Sequence, residues 1–313
     1  MPDRRVLVSG AAGFIGRWSV PPLLRAGFDV HAVLSKAPRC SIPEELSGAT
    51  VEVADVLAET EVDALLDRVR PTHLLHFAWI ATPGEYWTSS DNHRWLAASR
   101  YLLRAFHARG GLRVTMAGSC AEYDWARVDV CDEGLSPLAD ESTTAPSAYA
   151  AGKIAMQRDL AKFSQATGLS SSWGRIFFQF GPHEHPQRLV PSVIRHLLAN
   201  REAPCTSGSQ VRSFLHVSDV GDAFASVLCS SQEGPVNIGS DEAISVADLI
   251  QRIGRQLGRS ELLRLGARPT PVNEPPVLLP AVHRLRDEVK WRPRFSLDEG
   301  LSAAVDWWRG RVA

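Results

Sequence analysis

The sequence predicts an α/β fold: a doubly wound parallel sheet with a smaller, partly interleaved C-terminal lobe. Three observations carry that reading. A short apolar run, Arg5-Val-Leu-Val-Ser9, leads at once into three glycines, Gly10, Gly13 and Gly16. Short apolar strands then alternate with helical stretches, the pattern of parallel strands joined by right-handed crossovers. The chain has 313 residues, 44% hydrophobic and 22% charged, which suffices for one large or two modest domains. We place the boundary near residue 175, with 1–175 as the nucleotide-binding domain and 176–313 as mostly the second lobe.

The first strand and its glycines form a strand, a tight turn and a helix start. Glycine lets backbone approach a pyrophosphate, and the N–H groups at a helix start attract its charge. The spacing is G-x-x-G-x-x-G, with Phe14 and Ile15 between the last two glycines. Pro21 and Pro22 fall well inside the helix expected over 14–26, where each deletes a donor and should kink it. Residues 28–34 read as strand two. An acid at its end would bind the ribose of NAD, whereas a cation accommodates the 2′-phosphate of NADP. Here stand Ser35, Lys36 and Arg39, with no acid, so NADP(H) is expected over NAD(H).

Strand three is expected over 51–55, a helix over 59–69, and strand four over 73–78. An aromatic loop follows with Trp79, Tyr86, Trp87 and Trp95, whose faces suit a sugar or a base. A helix over 96–108 leads to strand five, 112–117, which ends in Gly118-Ser119. Ligands in such sheets bind at the carboxyl ends of strands, where Ser119 sits. Beyond it comes Pro146-Ser-Ala-Tyr149-Ala-Ala-Gly-Lys153. On a helix Tyr149 and Lys153 share one face, one turn apart. An ammonium beside a phenol favours phenolate and draws its pKa toward the working range, as a proton-transfer pair requires.

In the second half, strand six is expected over 171–178, followed by a polar loop, Gly181 to Arg188. His183, Glu184 and His185 lack a further partner at ligand spacing, so no metal is expected. Helices are expected over 190–199, after Ser218 as cap with Asp219 in the first turn, over 245–258, and over 297–309. Residues 269–280 read as a proline-rich surface connection.

Formal net charge is −1, which excludes a nucleic-acid or anionic-membrane surface as main partner. No apolar run approaches the roughly 20 residues of a membrane span. The N-terminus lacks a signal peptide's apolar stretch, and five cysteines without a CxxC read as reduced thiols, so a cytoplasmic location is expected.

Taken together, these residues resemble the extended short-chain dehydrogenase/reductases, the nucleotide-sugar epimerase/dehydratase/reductase branch, which are Rossmann-type. The resemblance rests on Gly10-x-x-Gly13-Phe-Ile-Gly16, Asp55-Val56, His76-Phe77-Ala78, Ser119, Tyr149-x-x-x-Lys153 and Arg175-Ile-Phe-Phe-Gln-Phe-Gly181-Pro182. It continues through Arg212-Ser-Phe-Leu-His216-Val-Ser-Asp219-Val220, Val236-Asn237-Ile-Gly239, Trp291-Arg-Pro293 and Leu297-Asp-Glu-Gly300-Leu, in family order. It implies that Gly10, Gly13 and Gly16, with Phe14 and Ile15, hold the cofactor pyrophosphate. Asp55 and Val56 would contact the adenine, and Phe77 and Ala78 would line the cleft. Tyr149 would exchange the proton, Lys153 would bind the nicotinamide ribose, and Ser119 would hold the substrate oxygen. Trp79, Cys120, Ala121, Phe178, Arg188 and Arg212 would meet the substrate, Arg212 at its diphosphate. The resemblance also implies a homodimer.

Departures narrow the activity. Dehydratases of this family carry Asp-Glu where this chain has Cys120-Ala121, and its 4-epimerases usually carry an acid after strand two. Phe178 stands where epimerases often have Asn. A second phosphate-binding Arg is not evident near Pro271–Glu274, although Arg268 lies close by. The expectation is therefore an NADP(H)-dependent reductase of a keto-sugar nucleotide, of the 4-keto-deoxysugar type. The alternatives are an epimerase with tightly held NAD(P) and an NADP-sensing binding protein on the same fold.

Overall fold

The computed structural model describes residues 4–36, 42–140, 147–272 and 274–311. Arg39 and Pro146 lie outside them. In chain order the strands are β1 Arg5–Ser9, β2 Asp29–Leu34, β3 Thr50–Val53, β4 His73–His76, β5 Arg113–Ser119, β6 Val130–Cys131 and β7 Ser170–Ile176. Then come β8 Phe178–Phe180, β9 Ala203–Pro204, β10 Val211–His216, β11 Gly234–Ile238, β12 Ala243–Ser245, β13 Leu263–Arg264 and β14 Val277–Pro280. The α-helices are α1 Gly16–Arg25, α2 Glu59–Val69, α3 Asp91–Ala108, α4 Ala148–Thr167, α5 Leu189–Leu198, α6 Val217–Cys229, α7 Val246–Leu257 and α8 Leu297–Arg309.

Seven parallel strands in the order β11-β7-β5-β4-β1-β2-β3 make a Rossmann-type sheet. One face carries α1 and α6, and the other carries α2, α3 and α4. The helices after β1 and β4 thus pack on opposite faces, and the gap between those two strands is the switch point where ligands bind. Both faces are covered, so central strands such as Val6-Leu7-Val8 are buried throughout. The second lobe is built on β12-β10-β14-β6, with β8 alongside β10, and its own core lies between α5, α7 and α8. Segments from beyond residue 175 return to the first layer: α6 packs on α1, and β11 forms the sheet edge.

Several expectations need correction. Strand six is two strands, β7 and β8, broken at Phe177, whose N–H bonds to Ile238. Helix α3 starts at Asp91 rather than 96; Ser90 holds the cap position without a side-chain bond, and the Asp91 N–H donates to the Ser89 hydroxyl at 3.2 Å. Ser218 is no cap: His216 occupies that position, and the Ser218 hydroxyl lies 2.8 Å from its Nδ1 inside the first turn. Part of the proline-rich connection is strand β14, with Leu278 wholly buried. Helix α1 is continuous through Pro21 and Pro22. Its side chains help at the start, where Ser19 donates to the Gly16 carbonyl at 2.7 Å and Arg17 to the Ala12 carbonyl at 2.6 Å.

Candidate active site

At the switch point the glycine turn is closed by contacts that tolerate no side chain. Gly10 has φ +70°, and a Cβ there would lie 2.9 Å from the Ala78 nitrogen. A Cβ on Gly16 would strike the Gly10 carbonyl. Gly13, by contrast, is exposed, and its N–H bonds back to Gly10 at 2.9 Å. Beneath the turn, the Ser9 hydroxyl lies 2.6 Å from His76 Nδ1, and His76 Nε2 lies 2.9 Å from the Ser99 hydroxyl. Ser99 donates to the Trp95 carbonyl, so its oxygen accepts from Nε2–H and leaves Nδ1 to accept from Ser9. Burial, with the Lys153 charge nearby, holds His76 down at about 3, hence neutral.

A dinucleotide pyrophosphate fits this cradle. The exposed Gly13 leaves its approach open, and α1 begins without a side-chain cap on its N–H groups. Phe14 and Ile15 are half-buried beside it, and Phe77 packs edge-on against Phe224 at 4.8 Å. Ser35 and Lys36 stand exposed at the end of β2, with no acid beside them in sequence. At the end of β3, Asp55 accepts the Leu57 N–H at 2.9 Å and donates its own to Glu61 at 2.8 Å, next to buried Val56.

The structure brings Ser119, Tyr149 and Lys153 together. Ser119 is the last residue of β5 and caps a short turn, accepting the Ala121 N–H at 3.2 Å. Ser147 caps α4 by accepting the Ala150 N–H at 3.1 Å, so Tyr149 and Lys153 fall on its first turns. Burial pushes the Tyr149 phenol's pKa up, opposed by the Ser119 hydroxyl beside it. Lys153 is 4% exposed; its ammonium donates to the Ala117 carbonyl at 2.8 Å and sits 4.0 Å from the Trp79 ring centre. It lies 5.8 Å from the Tyr149 ring. Burial lowers it to about 7, opposed by Glu122.

One expectation changes here. The ammonium does not pull the phenol's pKa down in this arrangement, because desolvation dominates at Tyr149 and Lys153 is directed to Ala117 and Trp79. Trp79 lies under Lys153 and is held by its Nε1–H to Asn92 at 2.8 Å.

Beneath Ser119 lies a buried polar network. Glu122, 0% exposed, accepts the Ser119 N–H at 2.7 Å, the Trp173 indole N–H at 2.9 Å and Arg175 Nε at 2.8 Å. Arg175 also donates to the Tyr123 hydroxyl at 3.1 Å, which donates to Asn237 at 2.8 Å. The Asn237 N–H ends on Glu133 at 2.8 Å. Every donor has an acceptor, so the network fixes the backbone of Ser119 rather than straining it. Reading from sequence passed over Glu122. Its signal was the capping box Ser119-Cys-Ala-Glu122, which the structure contains.

On the open side, Tyr149 is walled by aromatic rings: Tyr86 at 4.9 Å and Trp87 at 5.8 Å, with Trp125 at 6.0 Å from Trp87. Arg188 stands at the cap position of α5 without a side-chain cap bond, its guanidinium 5.7 Å from the Tyr86 ring. Cys120 and Ala121 are buried, with the Cys120 thiol pushed up to about 12 by burial. Arg212, 2% exposed, has its guanidinium 5.3 Å from the Phe178 ring. It donates to Glu274 at 3.0 Å and to the Pro275 carbonyl at 2.7 Å, and its Nε has no partner. Arg268 donates its backbone N–H to the Cys205 carbonyl at 2.9 Å. His183 is bound to Glu45 at 3.0 Å, and its neighbour His185 is exposed.

A UDP-glucose 4-epimerase of Corynebacterium glutamicum is 24% identical, over 93% of this chain and 92% of that protein. A mouse dTDP-D-glucose 4,6-dehydratase is 26% identical, over 98% and 89%. The crystal structure of Thermus thermophilus UDP-glucose 4-epimerase in complex with NAD superposes with a TM-score of 0.79 at 26% identity, covering 98% of this chain and all of that one. No helix among the described residues is long and apolar enough to cross a membrane. The sequence profile of the NAD dependent epimerase/dehydratase family matches residues 6–239, spanning the glycine cradle, the Ser119/Tyr149/Lys153 centre and the network below it. The chain belongs to that family.

Proposed function

We propose that the protein is an NADP(H)-dependent reductase of a keto-sugar nucleotide, of the 4-keto-deoxysugar type. The observation that carries a carbonyl reduction is the convergence of the Ser119 hydroxyl, the Tyr149 phenol and the Lys153 ammonium beside the glycine cradle. When bound, the nicotinamide cofactor supplies the hydride. Ser119 holds the substrate carbonyl oxygen, and Tyr149 delivers a proton to it. Lys153, already held by Ala117 and Trp79, binds the nicotinamide ribose. Arg212 takes the diphosphate, with Phe178 against its guanidinium face. Cys120 and Ala121 offer no acid for eliminating water, which disfavours a dehydratase. Ser35, Lys36 and Arg39, without an acid, favour NADP(H). A cytoplasmic homodimer completes the reading.

A second reading, a nucleotide-sugar epimerase, is favoured by the full-length similarity to proteins named UDP-glucose 4-epimerase. The test is to titrate the purified protein with NADPH and NADH, then follow NADPH consumption with keto-sugar nucleotides. Preference for NADPH and its stoichiometric oxidation support the reductase. Protein that retains NAD through purification and interconverts sugars without added NADPH is the epimerase. Tyr149→Phe with an undiminished biological effect would leave only a cofactor-sensing protein.

A further inference from the structure

Away from this site, the pairing of β14 with β6 brings three ligand-type side chains to one place. Leu279 and Pro280 lie beside Val130 and Cys131, so Asp132 and Glu133 after one strand meet His283 after the other. One ligand atom from each lies within 4.8 Å of the other two. Asp132 uses Oδ1 to accept the N–H groups of Gly134 and Leu135, at 2.8 and 2.9 Å. Its Oδ2 remains, 3.9 Å from His283 Nδ1. Glu133 is 8% exposed; its Oε1 accepts the Asn237 N–H, and its Oε2 is sealed from solvent with no hydrogen-bond partner. A buried carboxylate oxygen without a donor is costly, and a proton or a cation offsets that cost. The neighbouring guanidiniums are directed elsewhere, Arg284 to the Pro235 and Glu233 carbonyls and Arg286 to Asp287. His283 also lines an open hollow of about 360 Å³ with Val130 and Asp241, a path by which an ion can enter.

We propose that Asp132, Glu133 and His283 bind a divalent transition-metal ion, zinc first, with water completing its coordination. One imidazole and two carboxylates suit zinc, whereas magnesium and calcium favour oxygen-only ligands. The ion would clamp the turn after β6 to the segment after β14. It would also hold the Glu133–Asn237 end of the network whose other end positions Ser119.

The test is calorimetric and thermal titration of the untagged, chelator-stripped protein with zinc chloride, with magnesium and calcium chloride as controls. One equivalent of zinc should bind and raise Tm by about 2–4 °C at saturation, a stabilisation on the order of 1 kcal/mol. His283→Ala and Glu133→Gln should each lose that equivalent. His283 is half-exposed and outside the proposed chemistry, so His283→Ala keeps the fold and the basal activity. Absence of a saturable equivalent in the wild type, zinc binding undiminished in His283→Ala, or an equal response to magnesium would each overturn the proposal.

Discussion

Replacing Lys153 by methionine tests the most consequential physical statement about the centre, that an ammonium is held there in a dry cavity. Lys153 is 4% exposed, and its ammonium has one hydrogen-bond acceptor, the Ala117 carbonyl. The carboxylate that acts on it, Glu122, is engaged by Arg175 and Trp173. Burial brings the lysine from 10.5 to about 7. At about 1.36 kcal/mol per pH unit, holding the charge in the folded state well below pH ~7 costs roughly 5 kcal/mol. The sign follows from proton counts. Between about 7 and 10.5 the unfolded chain carries the proton and the folded chain does not, so stability rises with pH there. Below about 7 both states are protonated, and the contribution is flat at its least favourable value. A methionine in its place has nothing to titrate. Urea unfolding at a series of pH values should therefore show wild type gaining on Lys153→Met by about 1.4 kcal/mol per unit, or roughly 2–3 kcal/mol between pH ~7.5 and ~9.5. Other ionisable groups cancel in the difference where they lie far from residue 153. A difference that stays level across this range refutes the description of a desolvated ammonium.

Three further outcomes follow from the same geometry. Tyr149→Phe should lower kcat by about 10²–10⁴ while NADPH affinity, followed by fluorescence titration, stays within a few-fold. Glu274→Gln removes the carboxylate that occupies Arg212 and should tighten binding of a nucleoside diphosphate several-fold by calorimetry; unchanged affinity would remove Arg212 as the diphosphate anchor. Glu122→Gln leaves Arg175, 2% exposed, without its counter-charge and should cost about 3–5 kcal/mol in denaturant unfolding.

What could be read from sequence was local. Helices 59–69 and 297–309 follow from apolar periodicity and have the expected bounds, because each buries one stripe against a core. The glycine turn follows from steric need at Gly10 and Gly16. Tyr149 and Lys153 are neighbours by helix geometry alone, and Ser119 joins them because strands in a parallel sheet end on one side. What sequence withheld was long-range. Nothing local says that Glu122 meets Arg175, 53 residues away, or that Glu274 reaches back 62 residues to Arg212. The same holds for Trp79, whose sequence neighbours do not say that the fold puts the Lys153 ammonium on its ring. Strand β14 was hidden by its prolines, since its place in the sheet is decided by β10 and β6 rather than by its own composition.

The closed chain of bonds from Glu122 through Arg175 and Tyr123 to Asn237 bears on how this enzyme can be redesigned. A platform whose polar atoms answer one another gains nothing from the ligand, so altering the ligand need not disturb it. Changes of substrate should accordingly be sought at Trp87 and Arg188, whose side chains border the opening and bear no part of that support, whereas Trp125 is tied by its indole N–H to the Cys120 carbonyl.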